Sequence, residues 1–213
     1  MIDTAPQDYQ DLLDYRRRVA GMYAQARANR LDLPARCAQF RQARDELFQH
    51  HPQSSLSDAQ KAHFQGLRYY PYDPALRFVV PLDPASEPGT LEVPLRDEGL
   101  LRLQRVGKVR FSIGGRPFEL SIFWVLGYAG GLFLPFRDAT SGTTTYPGGR
   151  YLLDTIKGAD LGQEGGRLIL DFNYAYNPSC AYHPRWDCPL APPENVSPVE
   201  IRAGEQRYPD GEG

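Results

Sequence analysis

The chain predicts an α+β fold: N-terminal helices packed on a mostly antiparallel β-barrel or curled β-sandwich of about eight strands. Three observations predict it. Apolar residues recur at helical spacing through residues 7–65. From Gly66 onward, short alternating runs are separated by Gly and Pro turn signals. No strand–helix–strand alternation occurs, which argues against a doubly wound parallel sheet. The expected organisation is a helical segment over 1–65, a β-rich domain over 66–207, and a disordered tail over 208–213.

In the first helix the apolar positions are Leu12, Leu13, Val19, Met22 and Tyr23. The second begins near Pro34, which suits a first-turn position, with Asp32 placed to cap it. Its apolar face is Cys37, Phe40, Leu47 and Phe48, and Pro52 marks its end. Ser57-x-x-Gln60 has the form of a capping box for a short third helix through His63 and Phe64. Strands are expected at 76–81, 90–95, 100–106 and 109–113, the last two joined by a turn at Gly107-Lys108. Gly114-Gly115 is a hairpin signal. Further strands are expected at 118–125, 132–136, 150–153, 167–173 and 199–203, with 174–197 as a long loop rich in Pro, Asn and Tyr.

Composition narrows the function. The formal charge of −2 lacks the basic surplus of a nucleic-acid binder. The longest apolar run, residues 122–126, is far too short to span a bilayer. The N-terminus has neither the basic nor the apolar region of a signal peptide, so a cytoplasmic location is expected. Three cysteines, Cys37, Cys180 and Cys188, do not make a disulfide framework. Only three of the 24 basic residues are lysine. Arginine suits planar anion recognition, but the bias runs along the whole chain, which favours a codon-composition effect.

Polar chemistry concentrates between Phe133 and Asn195. Asp171, flanked by Leu170 and Phe172, would need a partner if buried; Arg137 or Arg150 is the natural one. That pair could be structural, or an acid/base group tuned by the arginine. Cys180 is the candidate nucleophile, with His183 close by; a packed thiol or a local bridge to Cys188 is the alternative. Cys180, His183 and Cys188 lack the fourth ligand and paired spacing of a zinc site, so no metal is expected. Thr140-Ser141-Gly142-Thr143-Thr144-Thr145 lacks the lysine and following helix of a P-loop.

A larger pattern runs through the chain. It comprises Arg44-Asp45-x-x-Phe48, Phe64-x-Gly66-Leu67-x-Tyr69-Tyr70-Pro71, Pro135-Phe136-Arg137-Asp138-x-Thr140-Ser141-Gly142 and Thr145-Tyr146-x-x-Gly149-Arg150-Tyr151-Leu152. It continues through Leu170-Asp171-Phe172-Asn173-x-Ala175-Tyr176-Asn177-Pro178-x-Cys180-Ala181-Tyr182, Cys188-Pro189, Asn195 and Ala203-Gly204-Glu205. In this the chain resembles a bacterial and archaeal family catalogued as domain of unknown function 1684. Ser179, where a second proline is expected, is a departure. The resemblance implies no reaction.

The leading functional expectation is a binding module that holds a small polar or anionic molecule in a cleft of the β-domain. Its candidate ligand-binding residues are Arg137, Asp138, Ser141, Tyr146, Arg150, Asn173, Tyr176 and Asn177. The alternatives are a hydrolase or transferase using Asp171 or Cys180, and a motif stretch that only closes the fold. The expected partner is a small molecule, not nucleic acid or membrane. The sequence names no cofactor.

Overall fold

A computed structural model describes residues 5–28, 30–86, 88–96, 99–128 and 130–209. Helix α1 (Pro6–Ala28) and helix α2 (Leu33–His50) pack together. Val19, Met22, Tyr23 and Ala26 of α1 meet Cys37, Phe40 and Leu47 of α2, and Tyr174 and Ala159 complete that cluster. These positions recur every three or four residues, so each helix buries a single stripe. Asp32 caps α2 by accepting the Ala35 N–H at 2.8 Å. Helix α3 (Asp58–Ala62) starts with the expected capping box, Ser57 and Gln60 bonding reciprocally. It stops at Ala62, short of the His63 and Phe64 that the sequence suggested.

Nine strands follow in two antiparallel sheets among the described residues. They are β1 (Arg77–Val80), β2 (Asp83–Pro84), β3 (Thr90–Leu95), β4 (Gly99–Ile113), β5 (Arg116–Val125), β6 (Leu132–Phe136), β7 (Arg150–Asp154), β8 (Gln163–Glu164) and β9 (Arg167–Asp171). The smaller sheet runs β1-β9-β8. The larger runs β2-β4-β5-β6-β7, with β3 also paired to β4. No closed barrel forms among the described residues, which corrects the barrel alternative.

Both sheets contribute to one apolar core. Val80, Leu168 and Leu170 come from the smaller sheet, and Val109, Leu120, Ile122, Leu134 and Phe136 from the larger. Phe172 lies at the centre, its ring 5.2 Å from Phe136 and 5.6 Å from Phe111. Truncating such a fully enclosed ring costs about 3–5 kcal/mol.

Three strand expectations need correction. Residues 100–113 form one strand with a bulge between Arg105 and Gly107, not two strands joined by a turn. Gly107 is there for space: a Cβ would lie 2.4 Å from the Asp83 carbonyl oxygen, where β2 crosses. Strand β9 ends at Asp171, and Asn173 lies in a 3-10 turn, Phe172–Tyr174. Residues 199–203 form no strand, because side chains take their backbone groups.

Tyr208, expected to open a disordered tail, is buried with its ring 5.5 Å from Tyr182. Residues 210–213 lie outside the described residues. No helix of the described residues is long and apolar enough to cross a membrane.

Candidate functional site

Arg150 opens β7 and is 1% exposed. Its Nη1 donates to the carbonyls of Ala203 and Glu205, the latter at 3.2 Å. Its Nη2 donates to the Ile201 carbonyl at 2.9 Å and to Asp138 Oδ1 at 3.2 Å. In an extended segment, alternate carbonyls point the same way. Carbonyls 201 and 203 therefore share one side, the bend at Gly204 turns carbonyl 205 toward them, and the guanidinium takes all three in place of a partner strand. Burial pulls the Arg150 pKa below its ordinary value, and Asp138 opposes that pull.

Asp138 is also buried, and its carboxylate is fully engaged. Oδ2 accepts the Ile201 N–H at 2.6 Å and the Thr140 hydroxyl at 2.8 Å. Ser141 Oγ accepts the Asp138 N–H at 3.2 Å. The following loop closes on itself: the N–H groups of Thr143, Thr144 and Thr145 all reach the Thr140 carbonyl at 3.1 Å. With those amides spent, the loop is no backbone phosphate cradle, consistent with the absent P-loop lysine.

Glu205 is the second buried centre, 1% exposed. Its Oε1 accepts a bond from Arg44 Nε. Its Oε2 accepts the Asn177 N–H at 2.7 Å and the Tyr182 hydroxyl at 2.5 Å. Burial is the largest influence on the Arg44 pKa and acts to lower it, but Glu205 together with Tyr182, Tyr69 and Tyr15 holds the group well above its ordinary value. Gly204 makes this approach possible. Its φ is +73°, and a Cβ there would sit 2.5 Å from the Ala175 carbonyl oxygen. The sequence placed Arg44 in the family pattern but gave it no site role. Its signal was a basic residue on the apolar stripe of Cys37, Phe40, Leu47 and Phe48, all of which are buried.

The predicted pairing of Asp171 with Arg137 or Arg150 is not found. Asp171 ends β9 opposite Arg77, while Arg150 lies on the other sheet and is committed to Asp138. Asp171 Oδ1 accepts the Asn173 backbone N–H at 3.0 Å and its Nδ2 at 2.8 Å; Oδ2 accepts the Tyr72 hydroxyl at 3.3 Å. Burial raises the Asp171 pKa despite these bonds. Asn173 is itself clasped by Asp73, accepting its N–H and donating to its carbonyl, each at 2.8 Å. Arg137 is exposed, and its backbone bonds to Asn195 and Ser197. Tyr176 pairs through its backbone with Tyr151, and the Arg44 guanidinium lies 5.2 Å from its ring centroid. Asn177 Nδ2 donates to the Gln206 carbonyl at 2.8 Å.

Cys180 is a free, half-buried thiol that accepts a bond from the Tyr146 hydroxyl at 3.6 Å. Its pKa is raised, chiefly by the neighbouring Cys188 side chain and by burial, which does not suit an attacking thiolate. Among the described residues no group of three or more His, Cys, Asp and Glu side chains could hold a metal ion.

A surface cleft of about 400 Å³ lies where three segments meet, lined by Arg68, Thr143, Thr144, Gln206, Arg207 and Pro209. The Gln206 N–H donates to the Arg68 carbonyl at 2.8 Å, and the Arg207 N–H to the Thr144 carbonyl at 2.9 Å. Arg68 and Arg207 are exposed, and neither side chain has an acidic partner among the described residues. The buried Arg150 and Glu205 contacts fix the segment that presents Gln206 and Arg207.

Fold and site together define an α+β domain of two antiparallel sheets, whose buried arginines hold an extended C-terminal segment against the β-structure. The chain belongs to the DUF1684 family of proteins of unknown function, whose model matches residues 62–206. It is similar to the solution NMR structure of an uncharacterized protein of Haloarcula marismortui, at 31% identity. That likeness covers 81% of this chain and 92% of the other, with a TM-score of 0.58. A comparison with curated proteins finds no match.

Proposed function

We propose that this protein is a binding module for a small anionic molecule carrying phosphate or carboxylate groups, held in the cleft between Arg68 and Arg207. One observation carries the reading: among the described residues, two exposed guanidinium groups without acidic partners line the same cleft, and no carboxylate lines it. A guanidinium presents planar paired donors that match the oxygens of a carboxylate or phosphate. The Gln206 amide adds a neutral polar group at the same wall, while the Thr144 hydroxyl is bonded to Tyr70. The cleft volume falls within the range of small-molecule sites.

This moves the anion site away from the residues the sequence first suggested. Arg150 and Asp138 are occupied by one another and by backbone, and Asn177 Nδ2 by the Gln206 carbonyl, so their role in this reading is to hold the cleft wall rigid, while Asn173 is bonded to Asp171 and Asp73. Arg137 is exposed but does not line the cleft.

Thermal unfolding against a panel of inorganic phosphate, pyrophosphate, citrate and nucleoside phosphates tests the proposal. At least one anion is expected to raise the Tm of the wild type but not of an Arg68→Ala/Arg207→Ala double variant. A panel without any shift, or equal shifts in both proteins, overturns it.

A further inference from the structure

Cys180 and Cys188 form a second chemical centre that the cleft does not use. Cys180 sits in a 3-10 turn, Ser179–Ala181, and Cys188 follows after seven residues. Side-chain hydrogen bonds pin the intervening loop. The Tyr182 hydroxyl bonds Glu205, Arg185 Nη2 bonds the Ser54 carbonyl at 2.8 Å, and Trp186 Nε1 bonds the Ser55 carbonyl at 3.2 Å. Cys180 and Cys188 are thereby brought together. Cys188 Sγ accepts the Cys180 backbone N–H at 3.4 Å, and the Tyr146 hydroxyl donates to Cys180 Sγ at 3.6 Å. Both thiols are free and half-buried, within reach of a small reagent.

We propose that Cys180 and Cys188 are a redox-active dithiol that exchanges with small disulfides and closes to an intramolecular disulfide. The geometry divides the labour. Cys188 Sγ accepts the Cys180 backbone N–H, which favours its thiolate, so it is the attacking sulfur. As a thiolate it attacks one sulfur of a small disulfide, forms a mixed disulfide and expels one small thiolate. Cys180 then loses its proton to solvent and attacks the Cys188 sulfur, releasing the second small thiolate. Two protein thiols and one small disulfide become one protein disulfide and two small thiols.

The electrostatics fit that order. The neighbouring Cys180 side chain is the largest influence on Cys188, and with the Cys180 N–H and the Lys157 charge it overcomes burial, bringing the thiol down to about 7. Cys180 is held up first by Cys188 and then by burial. Once Cys188 is in a mixed disulfide its negative charge is gone, and that part of the Cys180 barrier goes with it. The phenols of Tyr146 and Tyr151 border the pair, and both have pKa values raised by burial, so they stay neutral at pH 7. Cys37 is an internal control: it is 1% exposed, and burial raises its thiol to about 11.

The test uses the full chain and glutathione disulfide as probe. After exposure at pH 7, intact mass is expected to fall by two hydrogens, and peptide mapping to find Cys180 joined to Cys188 with Cys37 untouched. A Cys180→Ser variant keeps a hydroxyl donor beside Cys188 and is expected to stop at a glutathione adduct on Cys188. A Cys188→Ser variant is expected to react at least about tenfold more slowly. A brief iodoacetamide pulse on the wild type needs no variant, and should label Cys188 before Cys180. At pH 7 the larger thiolate fraction, offset by lower intrinsic nucleophilicity, gives Cys188 a rate roughly threefold above an ordinary cysteine. A stable adduct on wild type without closure, no reaction with glutathione disulfide, or Cys180 labelled first would overturn the proposal.

Discussion

Arg150 and Glu205 are bonded to each other, yet not through their charges. Arg150 donates to the Glu205 backbone carbonyl at 3.2 Å, while the Glu205 carboxylate is paired with Arg44 from the helical segment. One residue thus fastens the C-terminal segment to the β-structure through its backbone and to α2 through its side chain. Both ion pairs on either side of this junction, Arg150–Asp138 and Arg44–Glu205, are almost fully buried.

Removing one member of such a pair leaves an uncompensated buried charge, which costs about 3–5 kcal/mol. Arg150→Ala is expected to lose at least about 3 kcal/mol, measured by urea unfolding. Arg150→Lys should recover little of it, because an ammonium cannot reach three carbonyls and a carboxylate in the guanidinium plane. A lysine variant as stable as the parent would contradict the role assigned to the fork.

The Arg44–Glu205 pair predicts strong non-additivity. Arg44→Met alone strands the Glu205 carboxylate, and Glu205→Gln alone strands the guanidinium. The double variant strands neither charge, so its loss should fall short of the sum by about 1–3 kcal/mol. A double-mutant cycle in urea checks this; additive losses would mean that the pair is not coupled.

Asp171 should behave in the opposite way. Its pKa is raised in the folded protein by burial, above the ordinary value of 3.8. The folded state therefore holds this proton more tightly than the unfolded state. The resulting stability is full below the unfolded value and is lost as pH rises through the folded one. Asp171→Asn removes that loss, and an amide can serve the Asn173 donors and Tyr72. The variant is expected to lie within about 1 kcal/mol of wild type at pH 7, and to compare better with it there than at pH 4. Unfolding curves at the two pH values decide; a variant that compares worse at pH 7 would mean that the Arg77 charge outweighs burial at Asp171.

The local features were legible in the sequence. Asp32 and the Ser57–Gln60 box cap helices through contacts three residues away, so their spacing carries the information. Leu168, Leu170 and Phe172 share a buried face as strand alternation requires. Gly107 misled because glycine serves turns and close approaches alike, and here it admits β2. Residues 199–203 read as a strand because their backbone is satisfied in a way no local pattern records, by Arg150 and Asp138. The partner of each buried charge was the least legible feature. Arg150 and Asp171 lie on different sheets, and Arg44 meets a carboxylate 161 residues away.

The cleft proposal makes its own mutational prediction. Each of Arg68→Ala and Arg207→Ala should weaken binding of the best anion about tenfold, or about 1.4 kcal/mol. The wild-type affinity should fall as salt rises, since both guanidiniums are exposed. Calorimetric titration at two ionic strengths measures both effects.

The most direct measurement is a nitrogen-15 NMR titration with pyrophosphate at low salt. Saturable shifts are expected to concentrate at Arg68, Thr143, Thr144, Gln206 and Arg207, leaving Asp171, Asn173 and Cys180 unmoved. A titration that leaves Arg68 and Arg207 in place, or one whose saturable shifts gather instead around Arg137 or Asn173, would contradict the account.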